Sequence, residues 1–343
     1  MLTAIIIIIF LSVLILVHEL GHFLLAKKFG LFVGEFGLGL PPRAWGKKIG
    51  ETIYSINWFP FGGYVKIAGE DGDEEVGEDI PKERIFGNIA AWKRFLILIG
   101  GVSMNFLLGW ALLSIVFMVG VKPGVFISQV QKDGPAAIAG LKANDRLLDF
   151  TKSDDFVNFT KSHAGEPISL RVARGNGEMT VQMTPRKDPP AGQGPLGVVL
   201  GESFGRERQG VLGAVKGGFI ESVAIVEGTF KGIARLIGSA LVGKGSLENV
   251  SGPIGIVRVT MDASEAGFIY VLSLMALISV NLAAFNILPF PALDGGRVMF
   301  LVIEKIKGSP LPKKFEQYAN GIGLLLLLGL ILVVSVKDVI RIF

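Results

Sequence analysis

Val17-His18-Glu19-Leu20-Gly21-His22 lies in the second half of an apolar run that begins at Leu2 and lasts to Lys27. Read as a helix, its two histidines stand one above the other on one face, about 6 Å apart along the axis. Two imidazoles so placed form a ready pair of zinc ligands. The glutamate beside the first can act as general base on an activated water. The pattern is short, and the plain alternative is a polar helix end turned into a core. The surrounding run decides between them. Two histidines and a glutamate inside a membrane-length segment are costly, and such groups mark function.

The chain has 343 residues, is 50% hydrophobic and only 19% charged, and has a positive mean hydropathy. That balance fits a membrane protein with a soluble insert rather than one globular domain. A net charge of +4 is small for the length and does not suggest nucleic acid. The absence of cysteine excludes disulfides, thiolate zinc sites and a cysteine nucleophile. Of three histidines, only His163 lies outside the motif, in a polar stretch where a solvated helix-end residue is expected. The N-terminal run has no basic n-region and no small-residue cleavage site behind it. It reads as a retained transmembrane helix rather than a signal peptide.

Four segments have spanning character: residues 2–26, 89–121, 266–288 and 320–336. Lys27 and Lys28 put the end of the first on the cytoplasmic side, so the N-terminus is expected outside. Alternate crossings then put the C-terminus and the soluble insert outside, and the two histidines in the cytoplasmic half. Residues 52–60 and 61–67 read as two short strands around a Pro/Gly turn, a hairpin over 50–70. The bland expectation is a surface hairpin anchored by Trp58, Phe59 and Tyr64. The sharper one is a re-entrant hairpin whose open edge pairs with an extended substrate. Residues 70–83 are strongly acidic and read as a solvated loop.

The second span opens with Gly100-Gly101-Val102-Ser103-Met104-Asn105, small residues that let another helix approach, beside the metal centre in the functional reading. Residues 122–187 carry strand patterns, two short helices and the turn signal Gly175-Asn176-Gly177, and predict a small α+β domain. A linker and an amphipathic helix at 211–242, lying in the membrane interface, are expected within 188–265. The chain thus divides into 1–121, 122–187, 188–265 and 266–343.

A catalytic zinc site needs a third protein ligand. No spare histidine is near, so the ligand is expected to be Asp or Glu. Glu35 and Glu51 qualify by chain proximity. Asp294 fits the topology better, because it follows the cytoplasmic end of the third span. Pro289 and Pro291 before it, and Gly295 and Gly296 after it, are expected to break the helix and free the carboxylate to point inward. Glu19 would then serve as base. A transmembrane substrate must unwind before hydrolysis, and Asn286 and the hairpin edge are expected to hold the unwound strand.

Together, the HExxH in the first span, Trp58 to Lys66, Gly101 to Asn105, a PDZ-like insert and Asn286…Pro289…Leu293-Asp294-Gly295 resemble the site-2 protease family. The bacterial regulator-of-sigma-E type with one PDZ domain is the most similar kind. The resemblance implies a polytopic α-helical membrane protein with four transmembrane helices, a re-entrant β-hairpin and an inserted PDZ-like domain. It implies Zn2+ held by His18, His22 and Asp294, with Glu19 as catalytic base. It also implies an inner-membrane metalloendopeptidase acting within the lipid bilayer on single-span membrane proteins. These would be anti-sigma factors or signal-peptide remnants, trimmed first by an upstream site-1-type protease. Substrate contacts are expected from Gly62, Gly63, Tyr64, Asn105, Asn286 and Pro289, and in the family the PDZ-like domain filters substrates by size. Departures are Val102 where many members have proline and Asn144 where Gly-Asp is more usual. A catalytically inactive scaffold that binds partners through the PDZ-like domain is the competing reading. Intact Glu19 and Asp294 argue against it.

Overall fold

The computed structural model describes residues 2–70, 79–120, 124–175, 177–190, 193–203, 208–242 and 252–342. The core of the acidic run (71–78), Asn176 of the expected turn and the Gly-rich stretch 243–251 lie outside them. In chain order the helices are α1 (Leu2–Lys28), α2 (Ala91–Val119), α3 (Pro135–Ile138), α4 (Ser153–Ser162), α5 (Val211–Leu241), α6 (Pro253–Ala266), α7 (Phe268–Asn286), α8 (Asp294–Lys307) and α9 (Lys313–Ile342). The strands are β1 (Val33–Ile49), β2 (Thr52–Ile67), β3 (Gly124–Val130), β4 (Arg146–Leu147), β5 (Ile168–Arg174), β6 (Gly177–Met183) and β7 (Val198–Ser203). Among the described residues, four helices are long and apolar enough to cross a membrane: α1, α2, α7 and α9. Two compact units emerge. One comprises Met1–Leu113, Gly218–Met261 and Ser273–Phe343, the other Ser114–Gly217 and Asp262–Leu272.

The second unit holds an antiparallel sheet in the order β6-β5-β4-β3-β7. Its strands alternate buried and exposed residues, as β5 does from Ile168 to Val172. The buried set, with Val125, Ile127, Leu147, Leu170 and Val172, closes over Phe156 of α4. β7 lies beyond residue 187 and pairs with β3, so part of the expected linker is an edge strand of this sheet. Pro189 and Pro190 masked that strand in the pattern. Asn144 takes a φ of 69°, a left-handed geometry that asparagine tolerates, which accounts for its standing where glycine is usual.

In the first unit, α1 and α2 approach at glycines. A Cβ on Gly21 would stand 2.2 Å from the Gly100 carbonyl oxygen. α7 closes on α2 in the same way, where a Cβ on Gly109 would meet Val280, and Ser279 Oγ donates to the Asn105 carbonyl at 2.7 Å. α5 crosses this pair, with Phe219 edge-on to Phe106 and Trp110, and Thr229 bonded to Asn281. α6 was not evident in the Gly-rich sequence before it. Its first turn is capped by Asp338 of α9, whose Oδ2 accepts from the Gly252 and Gly255 amides at 2.9 Å.

The expected hairpin is longer and differently paired. β1 and β2 turn at Gly50-Glu51, where Gly50 has a φ of 63°, rather than at Pro60. Residues 52–57 and 63–67 do not pair with each other. The first part of β1 slots between them: Phe36 is opposite both Val65 and Tyr54, and Leu38 opposite both Gly63 and Ile56. The rest of β1 pairs with 52–57 from the far side, as Lys47 does with Tyr54. Four segments therefore lie in the order 63–67, 33–38, 52–57, 43–49. Glycines and prolines in 34–42 concealed β1 from pattern reading.

Candidate metal centre

His18 and His22 stand where helical spacing requires, one turn apart on α1, with ring centroids 4.9 Å apart and nearly perpendicular. Asp294 arrives from the far end of the chain. His18 Nε2 lies 3.2 Å and His22 Nε2 3.5 Å from Asp294 Oδ2, and the two imidazole nitrogens lie 3.3 Å apart. A tetrahedral zinc with bonds near 2.0–2.1 Å separates its ligand atoms by about 3.3 Å. The triangle therefore has the dimensions the ion needs. Asp294 Oδ2 is also buried with no hydrogen-bond donor of its own among the described residues. A cation at the centre would satisfy all three atoms.

The neighbouring helix sets the histidines. His22 Nδ1 donates to the Ile97 carbonyl at 2.8 Å, a tautomer that leaves Nε2 as the ligand atom. Asn105 is buried behind His18, its amide 3.4 Å from Nδ1. A half-turn of that amide offers Oδ1, otherwise unpartnered, to a protonated Nδ1. Asn105, expected to touch substrate, lies against His18 in this arrangement. Gly101 lies over both rings. A Cβ there would stand 2.4 Å from His22 Nε2 and 2.7 Å from His18 Cε1. The expectation that the Gly100-Gly101 face packs beside this centre is met, and Gly21, inside the motif, is its counterpart.

The loop carrying Asp294 is held by backbone. Leu288 N bonds the Phe285 carbonyl and Leu293 N bonds the Phe290 carbonyl. Ala292 has a φ of 76°, and its amide is fixed by Asn320 of α9 at 3.0 Å. Gly295 and Gly296 do not break a helix here. They lie in the first turn of α8, where Cβ atoms would come within 2.3 Å of the Ile287 and Leu288 carbonyls and 2.2 Å of the Phe290 carbonyl. Glycine is what lets α8 start directly beneath its own approach loop, with Asp294 at the favourable N-terminal end of the helix dipole. Arg297, one turn on, is bonded to Glu70 just past β2.

Glu19 is next to His18, and β2 passes close beside it: a Cβ on Gly63 would lie 3.4 Å from Glu19 Cγ. Gly62 precedes with a φ of 93°. The Tyr64 hydroxyl is engaged internally, donating to Glu35 at 2.8 Å. Asn286 ends α7 half-buried, and Pro289 lies exposed in the loop to α8. Neither alternative third ligand joins the triangle. Glu35 sits within the β1–β2 sheet. Glu51 accepts from Arg84 at 2.6 Å and Lys27 at 2.5 Å, and those bonds hold its carboxyl down to about 2.

The sequence model described as Peptidase family M50 matches residues 6–330. A Clostridium perfringens protein named as a zinc metalloprotease is 33% identical over 335 residues, 96% of either chain. The zinc metalloprotease RasP of Geobacillus kaustophilus is 28% identical over 96% of either chain. The Bacillus subtilis protein named regulator of sigma-W protease RasP is 28% identical over 99% of either chain.

Proposed function

The chain belongs to peptidase family M50 and is a multi-pass membrane zinc metalloprotease, and from that premise we propose that it hydrolyses peptide bonds within transmembrane segments. The observation that carries the proposal is the triangle of His18 Nε2, His22 Nε2 and Asp294 Oδ2, with sides of 3.2, 3.3 and 3.5 Å, built on a membrane-length helix. These three residues hold the zinc, and Glu19 is the catalytic base. When bound, zinc supplies a Lewis acid that polarises the scissile carbonyl and lowers the pKa of a water to about 7. Glu19 takes the proton of the attacking water on its carboxylate and passes it to the departing amide nitrogen. The Ile97 carbonyl and Asn105 keep the two imidazoles turned toward the centre.

The β1–β2 sheet is re-entrant in this reading. Its turn is tied to Lys27 through Glu51, and its Pro60 carbonyl accepts from Ser12 at 3.0 Å. Those anchors are 15 residues apart on α1, about 22 Å of helix, so the sheet runs beside the span into the bilayer. Among the described residues, no strand occupies the outer edge of residues 63–67. An unwound substrate can add there as a further strand, one step from Glu19. Asn286 and Pro289 contribute from the α7–α8 connection.

Lys27 and Lys28 put this end of α1 on the cytoplasmic side of the inner membrane, with both termini and the five-stranded domain outside. An antiparallel sheet with two short helices fits a PDZ-like filter on access. The substrates are single-span proteins already shortened by a site-1-type protease. Anti-sigma factors head the class, by analogy with the relative named for sigma-W.

The test uses purified protein in proteoliposomes with a panel of single-span substrates. Glu19→Gln should retain zinc and lose roughly 10²–10⁴-fold in rate, the usual worth of a general base. Cleavage equal to wild type would remove the mechanism. Asp294→Ala should lose the metal, and unchanged zinc content would remove it as a ligand.

A further inference from the structure

We propose that Glu35 is a positioning residue for substrate, its carboxylate pinning residues 63–67 beside Glu19 by joining all four segments of the β1–β2 sheet. This rests on the reading that the outer edge of 63–67 receives the substrate strand.

Glu35 is 6% exposed in a sheet with no other buried charge among its described residues. Oε1 accepts from Ser55 Oγ at 2.6 Å, Tyr64 OH at 2.8 Å and Arg43 Nε at 3.1 Å, and Oε2 accepts from Arg43 Nη2 at 2.7 Å. The donors come from three different segments: Ser55 from 52–57, Tyr64 from 63–67 and Arg43 from 43–49. Glu35 itself belongs to the fourth. Four donor contacts from Ser55, Tyr64 and Arg43 thus converge on its two oxygens. That is the donor pattern an acceptor-only carboxylate takes, with the Arg43 guanidinium engaging both oxygens.

The sheet needs such a tie. Its paired runs are short: Glu35 to Leu38 keeps one register against residues 63–66, but an irregularity at Val33/Glu35 and the glycines and prolines of residues 39–42 bound that run on either side. Strands of that kind are prone to slip, and a slip of one residue turns every side chain to the other face. At this position a slip in one direction would bring Tyr64 to the place Gly63 holds beside Glu19, where a Cβ alone already makes contact at 3.4 Å. Tyr64 is the residue next to that contact, so the bond to Glu35 sets register where it matters for substrate. Glutamine keeps the size of Glu35 but has one acceptor oxygen, and its amide would face Arg43.

The experiment compares wild type, Glu35→Gln and Tyr64→Phe as full-length protein in proteoliposomes. It measures zinc content, amide exchange over residues 52–67 without substrate, and kcat and KM on one single-span substrate. In Glu35→Gln, exchange should rise about tenfold and KM about tenfold, with kcat within about twofold and zinc unchanged, as expected for loss of a charge-assisted network that acts before chemistry. Tyr64→Phe should shift the same two quantities less. Unchanged exchange in both variants overturns the tie. Faster exchange with unchanged KM leaves the tie standing but removes the substrate edge, and the positioning role with it. Loss of zinc together with kcat would mean that Glu35 supports the fold, and overturns the proposal equally.

Discussion

In the five-stranded sheet the buried side chains are Val125, Ile127, Leu147, Leu170 and Val172. In the β1–β2 sheet Val33 and Ile67 are buried against α1, but the buried set also includes Glu35, Thr52, Ser55 and Asn57. Outward-facing residues are reversed too. β5 and β6 present Ser169, Arg171, Thr180 and Gln182 with Met179, whereas β1 and β2 present Trp45, Ile49, Ile56, Trp58 and Phe59, with Arg43, Lys47 and Lys48 on the arm leading to the turn. The first pattern is that of a sheet in water, held by burial of apolar surface. The second is what the proposed re-entrant placement requires, since in lipid apolar groups outside cost nothing and polar groups must be satisfied within. The difference separates a domain that holds itself together from a structure that depends on its polar ties and on α1.

Breaking one polar tie in the aqueous domain should give the largest effect on stability. Asp145 is fully buried, and Arg174 holds it through two bonds of 2.7 Å. Among the described residues, Arg174→Ala leaves that carboxylate with the Lys142 amide as its one remaining side-chain hydrogen bond, at a cost of about 3–5 kcal/mol to this domain. Limited proteolysis of the full-length protein should then cut within residues 124–203 well before the wild type does. Equal cleavage would mean that the apolar core alone carries the domain.

Legibility in sequence follows the same division. Alternation and turn signals exposed β3, β5 and β6, because in water the pattern is the cause of the fold. The spans and the HExxH pair were equally plain, since a bilayer and a helical turn each impose a fixed length. Asp294 was reachable by topology. What could not be read were contacts made by backbone or by absent side chains. The Ile97 carbonyl has no residue signature, and Gly295 and Gly296 look the same whether they break a helix or let one start close to its own loop. β1 was hidden because its inward positions after Val33 are Glu35, Gly37 and Gly39 and its bends are Gly and Pro, which breaks the alternation that marks a strand. The contact of Asn105 with His18 had no signal of its own in the sequence, since it depends on how the second span packs on the first.

The comparison sharpens if one exposed apolar residue in each sheet's unit is made charged. Trp58 is 71% exposed in β2, and Ile138 is 82% exposed at the end of α3. If the hairpin lies in lipid, Trp58→Lys should destabilise it by about 2–4 kcal/mol near the bilayer midplane, and by less toward the interface. Ile138→Lys should change its domain's stability by no more than about 0.5 kcal/mol, because water is already its neighbour. Protease resistance of the two variants in liposomes reads both effects at once. Equal tolerance would place the hairpin in water and remove its re-entrant character.

The smallest effect expected is a pH dependence confined to the hairpin turn. Glu51 has its folded pKa lowered from 4.5 to about 2 by Arg84 and Lys27, so its contribution is present above the unfolded value. It is lost as pH falls from about 4.5 toward 2, because the unfolded chain takes up the proton first. Its partners are partly solvated, which keeps the size to about 1 kcal/mol or below. Pepsin is active across that window, and cleavage near Gly50-Glu51 should rise toward the acid end in wild type. In Glu51→Gln the same site should be more open at about pH 5, and its susceptibility should change less on acidification. Parallel profiles for the two proteins would mean that the turn is held by its backbone ladder alone. The ion pairs linking it to α1 and Arg84 would then be incidental to the depth at which the sheet is held.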